Sequence, residues 1–241
     1  MYSSINKLSI IIPVFNEKDT INEIISRVLS VKLKNIEQKE IIIIDDGSTD
    51  GTKEFLDKYS MESLIKVSLQ SKNKGKGAAV RKGFELATGD ILLIQDADLE
   101  YNPDQYHKLL SPILTGNADV VYGTRFSSGA PHRVLLYWHS LGNKFLTILS
   151  NIFTDLNLTD MECGYKVFKK EIIDKLHLRE DRFGFEPEVT AKIAKLAKKG
   201  NCRIYEVGIT YFGRTYREGK KINWKDGLVA LQCIIKYNLF H

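Results

Sequence analysis

The segment DILLIQDADLE, residues 90–100, runs from an apolar block directly into three acidic residues. Four bulky apolar residues in succession, flanked by polar ones, read as a short strand buried on both faces. Asp96, Asp98 and Glu100 then fall at every second position. In extended geometry alternate side chains share a face, so these carboxylates are expected to address one hard divalent cation, Mg²⁺ or Mn²⁺. Two earlier runs end in the same manner. LSIIIPV (8–14) leads into Phe15-Asn16-Glu17, and EIIIID (40–45) leads into Asp46-Gly47-Ser48-Thr49-Asp50-Gly51.

Between these runs lie helical patterns: Ile21, Ile24, Ile25, Val28 and Leu29 in the first, Phe55, Leu56 and Tyr59 in the second, and 78–87 and 103–114 later. LIKVSL (64–69) and ADVVYG (118–123) supply further strands. The alternation predicts an α/β fold, a doubly wound, mostly parallel sheet flanked by helices, to about residue 125. Open sheets of this kind bind ligands beyond the C-terminal ends of their strands, so the three polar clusters should converge on one edge. Later come three helix candidates (134–153, 184–200 and an amphipathic 223–240) and a strand candidate at 202–212. No linker or repeat divides the chain, which reads as one domain over 1–241, its halves meeting near 125/126.

Composition narrows the function. The 241 residues are 43% hydrophobic, enough for a packed core. Three widely spaced cysteines, Cys163, Cys202 and Cys233, fit neither a disulfide scaffold nor a cysteine zinc site. No secretory leader is legible, and apolar runs of four to seven residues fall far short of the ~18 needed for a span. A cytoplasmic protein is therefore expected. The net charge of +5 is uneven: residues 192–225 hold ten Lys/Arg against Glu206 and Glu218. Such a segment suits a phosphate-bearing or anionic partner; Lys192, Lys195 and Lys199 also fit the wet face of a helix.

Two motifs need weighing. Asp46, Ser48, Asp50, Gly51 and Asp57 match much of a calcium loop, but a β-run precedes them and Asp stands where Glu is required. A strand-end carboxylate pair for a ribose hydroxyl or base N–H is the better reading. Lys74-Gly75-Lys76-Gly77-Ala78-Ala79 opens a helix whose N–H groups would favour a phosphate, although it matches neither a Walker loop nor a dinucleotide fingerprint.

Taken in order, IIIPVFNE, IIIIDDGSTDGT, NKGKGAAVRKG, ATGDILLIQDADLE and YGTR resemble the inverting family 2 glycosyltransferases of the GT-A fold. DMECGYKVFKKEII (160–173), RFGFEPEV (182–189) and GRTYREGKK (213–221) make the chain most similar to the dolichyl-phosphate (polyprenyl-phosphate) sugar synthase branch. The resemblance implies that Pro13, Phe15, Glu17, Asp45 and Lys76 line the nucleotide pocket, with Asp46 beside it. It implies a metal at Asp96 and Asp98, with Glu100 where the synthases often carry Gln. Arg125 and Arg133 match arginines that hold an acceptor phosphate, Arg214 and Lys220 match cations over the donor diphosphate, and Asp160 matches an acid near the reacting centre. Residues 1–125 would then form the nucleotide-sugar half and 126–241 the acceptor half.

The implied reaction moves one hexose from a UDP- or GDP-linked donor to a polyprenyl phosphate, whose ionised oxygen needs little general-base help. A saccharide hydroxyl, as in capsule or O-antigen assembly, is the alternative acceptor. It would need a base, Asp160 first and Glu186 or Glu188 second. A catalytically silent nucleotide-sugar-binding scaffold is a further reading, and nucleic acid is not an expected partner. The Q-x-x-R-W signature of processive polysaccharide synthases is absent, so single transfer is expected. Residues 134–153 and 223–240, with Trp138 and Trp224, suit peripheral contact with a membrane face, packing on the sheet, or a homodimer interface.

Overall fold

A computed structural model describes residues 5–59, 61–127, 133–134, 136–215, 218–219, 221 and 224–240. A seven-stranded sheet in the order β3-β2-β1-β4-β6-β5-β7 organises them. β1 (Lys7–Val14), β2 (Gln38–Asp45), β3 (Ile65–Leu69) and β4 (Ile91–Ile94) are parallel neighbours, and β5 (Val120–Thr124) pairs in parallel with β7 (Ile204–Gly208). β6 (Lys166–Lys169) is antiparallel to both β4 and β5.

The apolar strands separate two cores. Leu8, Ile10, Ile12 and Val14 of β1 join Ile41, Ile43 and Leu93 beneath α1 (Ile21–Ser30) and α4 (Tyr106–Leu114). Ile11, Ile42, Ile44, Leu92 and Ile94 face the other way, beneath α3 (Lys76–Leu86) and α7 (Phe185–Lys198). The strict alternation of faces explains why runs of four consecutive apolar residues were needed. α2 (Thr52–Asp57) and α6 (Lys170–Ile173) are short connectors. α5 (Tyr137–Thr154) and α8 (Trp224–Leu239) pack beside α7.

The structure amends the sequence expectations in two places, β6 and the late strand, and decides which face α5 buries. β6 was not anticipated: it is four residues long and begins with Lys166, a charge that hides a buried strand. Lys166 is fully buried because its ammonium donates to the Met161 and Cys163 carbonyls and pairs with Glu186. The late strand is shorter than 202–212, ending at Gly208. α5 is inverted: Thr147, Ser150 and Thr154 face inward, while Trp138, Leu141, Phe145, Ile148 and Ile152 are exposed.

The antiparallel direction of β6 has a functional consequence. Its N-terminal end lies at the edge where the parallel strands finish, so residues 160–165 reach the same edge as Glu17, Asp45, Asp96 and Arg125.

Tight packing of α3 on β1 depends on Gly83, where an added Cβ would meet Ile11 Cγ2 at 2.3 Å. Gly83→Val should therefore cost about 1–3 kcal/mol by overpacking, read as a lowered midpoint in urea unfolding with an unchanged slope.

Candidate active site

The three polar strand ends converge as expected. Asn16 N–H donates to Ser48 Oγ (2.9 Å), Thr49 N–H to Asn16 Oδ1 (2.8 Å) and Glu17 N–H to Thr52 Oγ1 (3.0 Å), binding the ends of β1 and β2. Pro13 pairs in register with Ile44, one residue before Asp45. Asp45 is buried; its Oδ2 accepts from Ser48 N–H and its Oδ1 has no partner, leaving an acceptor for a ligand donor. Asp46 instead fastens the next loop, accepting from Asn73 Nδ2, Lys74 N–H and Gly75 N–H at 2.7–2.9 Å.

That fastening corrects the reading of 74–79 as a free helix N-terminus. Gly75 N–H is taken by Asp46, and Ala78 N–H donates to Asp181 O. The two glycines admit the 180–182 backbone: an added Cβ would lie 2.5 Å from Asp181 O at Gly75 and 2.3 Å from Glu180 O at Gly77. Lys76 points to the acidic cluster, 2.8 Å from Asp96 and 3.6 Å from Glu186. Burial opposes its charge, but Asp96 and Glu186 prevail and raise its affinity for a proton above the usual lysine range.

The acidic run is not extended. β4 stops at Ile94, and Leu99 adopts φ 62°, a left-handed conformation that turns the chain between Asp98 and Glu100. The expected parity of three carboxylates on one strand face is thereby lost. Asp98 Oδ2 lies 3.2 Å from Arg214, whose guanidinium also bonds Glu17 at 3.2 Å. Glu100 is engaged on both oxygens, accepting from Arg214 N–H (2.7 Å) and the Tyr211 hydroxyl (2.6 Å). Burial, then the charges of Asp96 and Glu100, push the Asp98 carboxyl up to about 7. Among the described residues no three His, Cys, Asp or Glu side chains form a ready metal cage. Asp96 and Asp98 nevertheless fit a hard cation that takes its other ligands from substrate and water, and their crowded charge is what such a cation relieves.

A cleft of about 160 Å³ opens beside this cluster, lined by Glu17, Arg214 and Lys221 among others. Lys221 bonds Glu17 (2.7 Å) and the Phe15 and Asn16 carbonyls, and lies 5.8 Å from the Phe15 ring centre. Lys220 lies outside the described residues.

On the other side, Arg125 and Asp160 form one unit. Arg125 Nε and Nη2 donate to the two Asp160 oxygens at 2.6 and 2.7 Å, and Arg125 N–H and Asn143 Nδ2 donate as well. Asp160 is fully buried, yet Arg125 holds its carboxyl below the usual carboxylate range. This is the environment of an anchor for Arg125, unlike that of a free base. Arg133 donates to Gly213 O (2.9 Å) and Glu218 (2.8 Å). Glu186 is paired with Lys166 and Lys76, while Glu188 accepts from Arg179 N–H, Glu180 N–H and Lys192.

Sequence reasoning passed over Glu162. Its Oε1 is buried without a partner, and burial, reinforced by Glu186, pushes the carboxyl up to about 7. The acids of DMEC, Asp160 and Glu162 with one residue between them, were the available signal. Lys221 was counted in the basic segment but not singled out.

The chain matches the Glycosyl transferase family 2 model over residues 9–177. It belongs to that family. It is 29% identical over 216 residues to a dolichol-phosphate mannosyltransferase of Pyrococcus furiosus, covering 89% of this chain and 59% of that protein. It is 27% identical over 222 residues to an undecaprenyl-phosphate 4-deoxy-4-formamido-L-arabinose transferase of Proteus mirabilis, covering 91% and 64%. The chain thus spans about three fifths of the length of these curated relatives. Its fold is GT-A, like glucosyl-3-phosphoglycerate synthase of Mycobacterium tuberculosis, solved with Mn²⁺, UDP and glucosyl-3-phosphoglycerate (TM-score 0.72, 18% identity, 97% of this chain and 80% of that one).

The Arg125–Asp160 pair generates a stability prediction. Asp160→Asn leaves Arg125 buried without its counter-charge and should cost about 3–5 kcal/mol in denaturant unfolding at pH 7. Because the folded pKa of Asp160 is depressed, its contribution is present above the ordinary carboxylate range. The native-minus-variant difference should therefore shrink as acid titrates the group.

Proposed function

We propose that the protein transfers a single hexose, with inversion, from a nucleotide-sugar to a polyprenyl phosphate. The observation that carries this reading is the division of the site: crowded carboxylates Asp96 and Asp98 with Arg214 and Lys221 on one side, and the buried, oriented guanidinium of Arg125 on the other. Pro13, Phe15, Glu17, Asp45 and Lys76 surround the nucleotide, with Asp45 Oδ1 free to accept from the base or ribose. Asp96 and Asp98 hold Mg²⁺ or Mn²⁺, which when bound supplies Lewis-acid neutralisation of the leaving diphosphate.

Arg214 leaves its carboxylates for the incoming diphosphate, the stronger anion, and Lys220 belongs to the same basic segment. Arg125 orients the acceptor phosphate, and Arg133 extends the cationic surface towards Gly213 and Glu218. One acceptor oxygen attacks the anomeric carbon as the carbon–oxygen bond to the diphosphate breaks. The nucleoside diphosphate departs with that electron pair, and the configuration inverts. No proton need move. That economy suits a site in which Asp160, Glu186 and Glu188, the three carboxylates expected as bases, are all held by cations or backbone donors.

One observation favours a second acceptor class. Glu162, with its unpaired oxygen and a pKa of about 7, has the properties of a general base for a saccharide hydroxyl. Incubation with Mn²⁺ and a panel of UDP- and GDP-sugars separates the readings: the lead reading requires product on polyprenyl phosphate, and product only on saccharides sinks it. Under the second reading Glu162→Gln lowers hydroxyl transfer by about 10²-fold or more. Turnover with no pair of substrates would favour a binding scaffold. Asp98→Ala should reduce kcat by at least about 10²-fold while leaving the circular dichroism unchanged. Mn²⁺ affinity, measured by calorimetry, should rise about tenfold per pH unit up to about pH 7 and then level, because the metal must displace the Asp98 proton.

The inverted α5 supports contact with a membrane. Trp138, Leu141, Phe145, Ile148 and Ile152 form a stripe at three- and four-residue spacing; Trp138 is 76% and Ile152 71% exposed. Residues 137–154 contain no acidic side chain, and Lys144 lies on the helix. Leu228, Ile235 and Leu239 of α8 also face outward, with Trp224 at its start. The proposed contact is peripheral, made by the exposed face of α5; no described helix is long and apolar enough to cross a membrane. The protein should co-sediment with vesicles containing anionic phospholipid, and Trp138→Ser with Ile148→Ser should reduce binding about tenfold. A dimer broken by the same substitutions, with no vesicle binding by the native protein, would assign the stripe to a second copy.

A further inference from the structure

Tyr211 lies just beyond β7, in a segment to which neither the sequence motifs nor the proposed reaction gives a role. It is almost wholly buried. Its hydroxyl donates to Glu100 Oε2 at 2.6 Å, and the centre of its ring is 5.2 Å from the Arg125 guanidinium carbon, within cation–π range. The neighbouring backbone holds it in register: Tyr211 forms a β-bridge with Tyr101, and Phe212 N–H donates to Glu100 O at 3.0 Å. Tyr101 packs on its ring, with centroids 5.4 Å apart.

We propose that Tyr211 is a positioning residue that couples the acidic donor side of the site to Arg125 on the acceptor side, through its hydroxyl on one and its ring on the other. The ring lies against Arg125, while the hydroxyl donates to Glu100 and also lies within reach of Arg125. The ring gives the partly buried guanidinium a flat surface beside its salt bridge to Asp160, fixing the plane in which Arg125 is presented. The hydroxyl neutralises part of the Glu100 charge beside Asp98 and, with Arg214 N–H, keeps both Glu100 oxygens occupied. Glu at this position is explained by the same geometry, since two donors converge on it and a carboxylate offers two acceptors.

The Arg125 half rests on the phosphate-acceptor reading; the Glu100 half does not. The test compares Tyr211→Phe, Tyr211→Leu and Glu100→Gln, following kcat and acceptor KM with a short-chain polyprenyl phosphate and, separately, Mn²⁺ affinity by calorimetry without nucleotide. Tyr211→Leu should raise acceptor KM about tenfold with kcat within about threefold, and Tyr211→Phe, which keeps the ring, should restore KM to within about twofold. Tyr211→Phe should bind Mn²⁺ about threefold more tightly, since Glu100 loses a donor that competes with the cation for its Oε2, and should make no difference in the Glu100→Gln background. An acceptor KM unmoved by Tyr211→Leu, or raised as much by Tyr211→Phe, overturns the link to Arg125. A Mn²⁺ shift that is absent, or that persists in the Glu100→Gln background, overturns the link to Glu100. If the native protein does not use polyprenyl phosphate, the functional reading fails instead, and the Mn²⁺ cycle still decides the coupling.

Discussion

Acidic side chains drawn together at the strand ends set the terms for the rest of the site. Glu17, Asp96, Asp98 and Glu100 come from two non-consecutive strand ends and cannot all be ionised side by side without counter-charge. Lys76 comes from the start of α3, and Arg214 and Lys221 come from the segment after β7. These cations therefore hold distant parts of the chain over the sheet edge. The same requirement would make the arrangement responsive in the proposed reaction: a divalent cation would satisfy the carboxylates, and a diphosphate the cations, that are now paired with each other.

A second charge system lies deeper and has a different character. Lys166, at the start of β6, is held by two carbonyls and Glu186, and Glu186 reaches Lys76. Buried ion pairs contribute less to stability than their geometry suggests, because both partners lose hydration. Their value here is placement. β6 runs against its neighbours, and the loop that enters it carries Asp160 and Glu162 to the edge where the others end. An apolar residue at 166 could stabilise the strand equally well but would leave buried Glu186 with Lys76, 3.6 Å away, in place of its close partner.

How much of this was legible in the sequence follows from how local each determinant is. The strands β1, β2 and β4 declare themselves by uninterrupted apolar runs, and the convergence of Glu17, Asp45 and Asp96 follows from parallel topology alone. β6 does not, because its buried lysine is accommodated only in the company of Glu186, twenty positions away. The parity argument for Glu100 assumed that the strand continued; it fails at Leu99, whose positive φ no composition or spacing announces. The glycines at 75 and 77 suggested a phosphate loop because glycine marks close approach. The approaching group is the chain's own backbone at 180–182.

The inversion of α5 joins the fold to the acceptor. Its inward face is polar because it serves the site: Asn143 donates to Asp160, and Thr147 Oγ1 accepts from Met161 N–H, fixing the loop that supports Arg125. With that face committed, the large apolar residues are left outside, where solvent alone would not stabilise them. In the proposed reading, a helix with one side on the anchor of Arg125 and the other offered to an apolar phase would bring together the two properties of a lipid phosphate, a charged head and a hydrocarbon tail. Polar acceptors require the first property only. The helix's two faces therefore discriminate between acceptor classes more sharply than any single residue around the reacting centre.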